Sequence, residues 1–298
     1  MKAKVNDKLY VISLIILIFW FVFDINTFIS SYNKNKEYMR NDYEICISSN
    51  NDEDCKGYKE ALDNYKLPST PALYNYIISL SSSSIYYLSI TAVLFVSIPC
   101  IFKFYSDVRY KFFKFELSRK SYSSFMFEHY KESLKSILIL PLFLIITFLI
   151  TCFITNFDFN QSANSFFTSK DYISVRWKEY FITMIIVVLF HSQFYINLAY
   201  ITFYKAKHFV VNILLTYLCY IFSQVVVVFS LQFFLSRVLM IDNSSLIFSL
   251  EDPLIMRFGM DVPKFEYMII TSLFYAMFSF VLVYLLYRKK ERFVMANE

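Results

Sequence analysis

Glycine is nearly missing from this chain: 298 residues contain two, Gly57 and Gly259. A phosphate-cradling GxxxxGK[ST] loop needs several glycines to bring backbone N–H groups against phosphate, so none can form. A dinucleotide fingerprint is out of reach as well. Any ATP this protein uses is therefore expected to be hydrolysed by another chain. GxxxG packing between helices is excluded, which leaves Ala, Ser and Thr to bring helices together, for example around Ser81–Ser84 and Thr271–Ser272. The GxSxG nucleophile elbow cannot occur.

Histidine is almost as scarce, with three. His129 and His208 read as cytoplasmic, and His191 has no partner at the HExxH spacing of a zinc protease. Cys100, Cys152 and Cys219 lie in or beside apolar runs and read as small apolar residues. Cys46 and Cys55 fall in one polar loop. On the oxidising side of a membrane they form a disulfide closing a small acidic loop, or else they remain two free thiols. Their spacing fits no CxxC metal site and the loop has no His. No metal or other cofactor is expected in this chain.

Apolar length is what the chain has in quantity. Six runs stand out: Leu9–Ile29, Ile85–Phe104, Ile137–Thr155, Tyr180–Phe203, Phe209–Leu235 and Tyr267–Tyr287. Each reaches or nearly reaches the 20 or so residues a helix needs to cross a bilayer, and in lipid a helix bonds every backbone group internally. The strict alternation of a β-barrel strand is missing from Leu14–Phe23, and Val225–Phe229 has no polar face for water. The expected fold is all-α: a polytopic membrane protein, one domain over 1–298, with six transmembrane helices.

Basic residues set the orientation. Lys2, Lys4 and Lys8 precede the first run. Lys103, Arg109, Lys111, Lys114, Arg119, Lys120, Lys131 and Lys135 follow the second, Lys205 and Lys207 the fourth, and Arg288, Lys289, Lys290 and Arg292 the last. The other loops are as acidic as basic or more so: Glu37, Asp42, Glu44, Asp52, Glu53, Asp54, Glu60 and Asp63 in one, Asp242, Glu251, Asp252, Asp261 and Glu266 in another. The positive-inside rule then places both termini in the cytoplasm. No small-x-small cleavage site follows the first run, so it is expected to stay as an uncleaved span. The net charge of +5 sits beside span ends, where anionic headgroups explain it, and no nucleic-acid partner is expected.

The loops differ in character. Residues 30–78 read as a polar extracellular loop with its tip near Ser49–Asp54 and a short helix at Glu60–Lys66, ended before Pro68 and Pro71. Residues 105–136 form a cytoplasmic segment rich in aromatic and basic side chains. Within it Ser121–Leu134 reads as an amphipathic helix: lying on the membrane, docked in a partner's groove, or simply extending the flanking spans. Asn156–Glu179 is short and polar, with an interface anchor at Arg176, Trp177 and Lys178. Tyr204–His208 is a tight inner turn. Residues 236–266 form an extracellular loop in which Leu246–Leu250, Pro253, Gly259 and Pro263 suggest short re-entrant helices.

Polar residues inside the runs are candidates for a pathway or for bonds between helices: His191, Ser192, Gln193 and Asn197 in the fourth, Asn212 and Gln224 in the fifth. Asp24, near the outer end of the first run, reads as a span-end residue within reach of water.

This layout resembles the permease subunits of type-2 ABC exporters: six spans, tails inside, a coupling helix between spans two and three, a tight inner turn between four and five, and re-entrant helices between five and six. Phe115-Glu116-Leu117-Ser118-Arg119-Lys120-Ser121-Tyr122, with Lys131 beyond, is similar to that family's coupling segment. A long cysteine-bearing first outer loop and a coupling segment without glycine depart from the pattern. The resemblance implies that Glu116, Arg119, Lys120, Tyr122 and Lys131 lie near a separate cytoplasmic ABC ATPase that binds ATP and Mg. It also implies a second permease chain, same or different, and a bacterial cell membrane in which a peptide, such as an antimicrobial peptide, or a lipid-like substrate is exported or expelled. Catalysis by this chain itself is not expected. Two other readings stay open: a sensor or immunity protein that binds a peptide through its outer loop, and a membrane processing enzyme.

Overall fold

A computed structural model describes residues 2–48, 52–79, 83–110, 112–159, 177–206, 208–223, 225, 233, 237 and 265–288. Every regular element among them is helical: α1 Lys2–Ser48, α2 Asp52–Asn64, α3 Thr70–Ser79, α4 Ser83–Arg109, α5 Phe112–Leu117, α6 Tyr122–Ser133, a 3-10 turn Leu134–Leu138, α7 Ile139–Ile154, α8 Trp177–Phe203, α9 Phe209–Ser223 and α10 Phe265–Tyr287.

Five described helical stretches are long and apolar enough to cross a membrane: Lys8–Ser48, Thr91–Arg109, Tyr122–Ile154, Trp177–Phe203 and Met268–Tyr287. The fifth run of the sequence appears as the shorter apolar helix α9. Its 15 residues rise about 22 Å, less than the roughly 30 Å of a hydrocarbon core. Most of that run beyond Ser223, the re-entrant segment expected in 236–266, and the tail after Arg288 lie outside the described residues.

The polar loop expected over 30–78 is largely helical. No Gly or Pro interrupts α1, so it continues past its apolar stretch to Ser48, 47 residues in all and about 70 Å long. Helix α2 folds back along it. The short helix expected at Glu60–Lys66 instead spans Asp52–Asn64. Cys46 and Cys55 are joined, with Cα atoms 5.6 Å apart. At the base of this hairpin Tyr32 stacks on Tyr65 at 4.8 Å and donates to its carbonyl at 2.8 Å.

Pro71 starts a helix rather than only ending one, as a first-turn proline can because its missing N–H would be unpaired anyway. Helix α3 is part of the core: Leu73, Tyr74 and Ile77 are buried, and α3 packs against α7 and α1. The Tyr74 hydroxyl reaches Leu144 O at 3.1 Å and Thr147 Oγ1 at 3.2 Å. Helix α7 closes with Asn156 and Phe157 in the left-handed region, φ 50° and 57°, and Phe157 N bonds back to Cys152 O at 2.8 Å. That sharp end presents Asp158 O to Thr70 N at 2.7 Å. It thereby bonds one of the free donors at the start of α3.

The segment before the third run extends the span. Ser121 Oγ accepts from Ser124 N at 3.3 Å and caps α6. Helix α6 then passes through the 3-10 turn directly into α7. Its apolar side, with Phe125 and His129, is buried, and it packs on α4.

Helix α8 is the central post, packed against α4, α7, α9 and α10. Its residues are apolar nearly all round, the pattern of a helix covered on every side. The turn from α8 to α9 is as tight as the sequence suggests, with Lys205 N and Ala206 N both bonded to Thr202 O at 3.0 Å.

The hairpin disulfide closes a loop whose ends are nine residues apart, for which chain entropy gives about 2–3 kcal/mol. Cys46→Ser with Cys55→Ser should speed amide hydrogen exchange at the end of α1 and in α2 while leaving α8 unchanged. Equal acceleration in both regions would show that the hairpin and the bundle unfold together.

Candidate functional site

Two polar regions stand out. The first lies where α4, α5 and α6 meet. Arg119 and Lys120 are exposed on the turn between α5 and α6. The Arg119 guanidinium lies 4.1 Å from the centre of the Phe115 ring, a cation–π arrangement that orients the charge without neutralising it. Lys120 Nζ meets Glu128 Oε2 at 2.5 Å, and this hydrogen bond holds the ammonium pKa above its ordinary value. Glu116 is half-buried, with Oε2 3.9 Å from His129 Nε2. Tyr122 is half-buried and packs against the core. Lys131 is exposed.

Sequence reasoning missed the centre of this region. His129 is buried against Phe104 and Phe125, with ring centroids 5.4 and 4.5 Å away, and its Nε2 is 3.8 Å from Asp107 Oδ2. Lys103 pairs with Glu132. The Tyr10 hydroxyl donates to Glu132 O at 3.4 Å, which ties α1 to α6.

The second region is the polar seam of α8. The Tyr130 hydroxyl of α6 donates to Asn197 Oδ1 at 2.7 Å. Gln193 Nε2 donates to the Tyr130 oxygen and, at 3.1 Å, to Asn197 Oδ1. Asn197 Nδ2 donates to Ala276 O at 3.2 Å and Ser279 Oγ at 2.8 Å on α10. One buried amide thus joins three helices. Farther along, Ser133 Oγ and Tyr200 OH are 2.6 Å apart, and Tyr287 OH donates to Tyr200 O at 2.8 Å. Asn212 belongs to another set: Thr202 Oγ1 lies 2.7 Å from both Asn212 Oδ1 and Thr216 Oγ1, joining α8 to α9.

Of the six polar residues read as lining a pathway or bonding between helices, three make bonds between helices. Gln193 and Asn197 bond toward α6 and α10, and Asn212 bonds across the α8–α9 turn. His191 Nδ1 is 3.0 Å from Val187 O, while its Nε2 and the Ser192 hydroxyl have no hydrogen-bond partner among the described residues. Gln224 lies outside the described residues. No group of three or more His, Cys, Asp or Glu suited to a metal ion occurs among the described residues. The partners Tyr130, Ser279, Thr202 and Thr216 carried a weak signal in the sequence, hydroxyls within or next to apolar runs.

Asp24 requires a correction. Its side chain is largely buried rather than open to water: the residue is 6% exposed and lies on the packed face of α1 with Leu17, Phe21 and Ile25. The helix continues beyond it to Ser48, and place along the apolar run did not show which way the side chain faces.

Comparison of this chain with protein-family models, with curated proteins and with solved structures finds no match.

Interhelical hydrogen bonds in membranes contribute about 0.5–2 kcal/mol each. Asn197→Ala leaves the Tyr130 hydroxyl without its acceptor and removes the donor to Ser279, so it should destabilise the bundle by about 1–3 kcal/mol, read by unfolding in mixed micelles. In a double-mutant cycle, Tyr130→Phe and Asn197→Ala should couple by about 0.5–1.5 kcal/mol. Strict additivity would show the seam to be incidental.

Proposed function

We propose that this chain is the membrane-embedded permease subunit of an ATP-driven transporter of the type-2 exporter class, with six spans and both termini in the cytoplasm of a bacterial cell. The ATPase is a separate chain that binds ATP and Mg. The substrate, peptide or lipid-like, passes between this permease and a second one. The observation that carries the reading is the α5–α6 segment. It offers exposed Arg119 and Lys120 on a turn rather than on a mobile tail, and it is built onto α4 and α7 at either end.

That construction suits a part that receives force. A push on the turn enters α6, passes through the 3-10 turn into α7, and reaches α8 and α10 through Tyr130 and Asn197. Surface residues serving only solubility need no such connection. On this reading Arg119 contacts the ATPase directly, whereas Tyr122 and Glu116 shape the segment from its packed side.

The disulfide-closed hairpin favours one further role, recognition of a peptide outside the cell, because a fixed helical pair offers a binding surface at low entropy cost. It is compatible with a permease that also senses its substrate.

Purification from native membranes should recover a nucleotide-binding chain with this one. Arg119→Glu should cut that recovery about tenfold or more, as loss of a contact at the centre of an interface does, without changing the melting temperature. Tyr122→Ala should lower both. A stable complex that lacks any nucleotide-binding chain overturns the proposal. Thiol labelling of Cys46 or Cys55 after reduction should succeed from the outer side of sealed cells, and labelling only from the cytoplasmic side would reverse the orientation.

A further inference from the structure

The charges at the junction of α4, α5 and α6 do not balance in pairs. Asp107 of α4 and Glu116 of α5 both turn toward one imidazole nitrogen of α6. His129 Nε2 lies 3.8 Å from Asp107 Oδ2 and 3.9 Å from Glu116 Oε2. His129 and Asp107 are each 6% exposed, so salt and water screen the attraction between them little. Around the ring α4 offers Asp107 and Lys103, α5 offers Glu116, and α6 itself offers Glu128 and Glu132. Lys103 is paired with Glu132, and Lys120, on the turn, with Glu128. Within this group two lysines stand against four carboxylates, an excess of negative charge that one imidazolium halves.

Neither carboxylate stands within hydrogen-bond reach of that nitrogen. What draws them to it at such distances is charge, and the ring is charged only when both of its nitrogens carry a proton. Imidazole is the side chain whose ordinary titration falls between about pH 5 and 8. Phe104 and Phe125 pack against the ring, with centroids 5.4 and 4.5 Å away, and hold it facing both carboxylates. Helix α5 has particular need of such a link. It has six residues, too few to persist alone. Buried Phe113 is one of its holds on the bundle, and Glu116 is another. Arg119 and Lys120 follow directly after it, exposed on the turn.

We propose that His129 is a proton-operated latch at the α5–α6 end of the bundle. Protonated, it joins Asp107 of α4 to Glu116 of α5 and fastens the Arg119–Lys120 turn. Neutral, it lets α5 loosen from α4 and α6. The latch acts in full on the acid side of the imidazole titration and fades as pH rises through it. Below about pH 4 it fades again, as the carboxylates take up protons. It is a property of this chain alone and rests on the transporter reading only for what docks at the turn. On that reading, acidification on the α5–α6 side of the membrane stiffens the surface that meets the ATPase.

The test uses the full chain in lipid nanodiscs without any ATPase. Amide hydrogen exchange over 112–133 is measured at about pH 5.5 and about pH 7.5 and divided by the intrinsic rate at each pH, with α8 as the reference. Protection of 112–133 should be about three- to tenfold greater at the lower pH, and that of α8 should not change. His129→Gln should abolish the difference. Glu116→Gln, a change at a half-buried side chain, should shrink it about twofold or more. The imidazole NMR signal of His129, identified by its loss in His129→Gln, should titrate over the same interval. Equal protection at both pH values overturns the proposal, as does a difference that persists in His129→Gln or stays whole in Glu116→Gln. An imidazole that does not titrate between about pH 5 and 8 overturns it too. If His129→Gln fails to fold, Glu116→Gln and Asp107→Asn decide, and an undiminished difference in both overturns it. A chain that shows the pH dependence but recovers no ATPase from native membranes keeps the latch and loses the transporter reading. A chain that recovers the ATPase and shows no pH dependence does the reverse.

Discussion

A polar side chain shielded from water must find its partner on a neighbouring helix, and in this protein that requirement falls on α8. The helix packs against α4, α7, α9 and α10, and beyond bonds within α8 its amides and hydroxyls reach α6, α9 and α10. Asn197 helps to fix the relative height of three helices, because its amide accepts from one and donates to another, and the Ser133–Tyr200 and Tyr287–Tyr200 bonds act in the same direction. Apolar contact would let these helices slide by a turn with little change in buried area. The amide does not, since each shifted position leaves a buried donor or acceptor unpaired. The register of α6 against α8, and hence where the Arg119 turn stands, depends on that bond.

With two glycines in the whole chain, the helices cannot approach by backbone contact, and rings fill the space between them. Phe104 of α4 meets Phe125, Tyr200, Phe203 and Tyr287, all with centroids 5.0–6.4 Å away. Tilted and edge-on pairs of this kind add to simple burial. They also resist compression, because a ring has two torsions and few alternative rotamers in a packed site. Rings therefore fill contacts between helices here that glycine-rich bundles make with small residues. The Ser and Thr hydroxyls are freed for bonding within and between helices, as at Thr202 and Thr216.

Much of this was legible from hydropathy. The all-helical fold and five apolar helices follow from run length, and the tight turn after Phe203 from the short gap between runs. What hydropathy missed, it missed for physical reasons. A polar stretch reads as loop, yet 30–48 contains no breaker, so α1 runs on and α2 packs against it. Thr70–Ser79 was hidden by Pro68 just before it and Pro71 in its first turn, although Pro71 sits where a helix begins. The polar seam was visible residue by residue at Gln193, Asn197 and Asn212. Their grouping was not, because it depends on which face of α8 meets which neighbour, and a helix apolar all round gives no phase. Asp24 was misplaced for a related reason: distance along a run says nothing of whether a side chain faces the outside or the packed interior.

The position of α1 ties these parts together. It is one unbroken helix from Lys2 to Ser48. At one end Tyr10 bonds to the backbone of α6 beside the Lys103–Glu132 pair. In the middle Phe21 meets Tyr74 of α3 and Phe143 of α7. At the other end the disulfide locks it to α2. A helix is stiff along its axis, and kinks arise at proline, glycine or bulges, none of which α1 contains. Pro99 places such a weak point in α4 instead, where it removes a backbone bond midway along the helix. A displacement that begins at the α5–α6 end therefore meets two kinds of neighbour. It can be absorbed as bending at Pro99 in α4, but in α1 it must be carried as movement of the whole rod, hairpin included. Alongside the route from α6 into α7 and α8, α1 offers a second, stiffer connection between the two ends of the bundle.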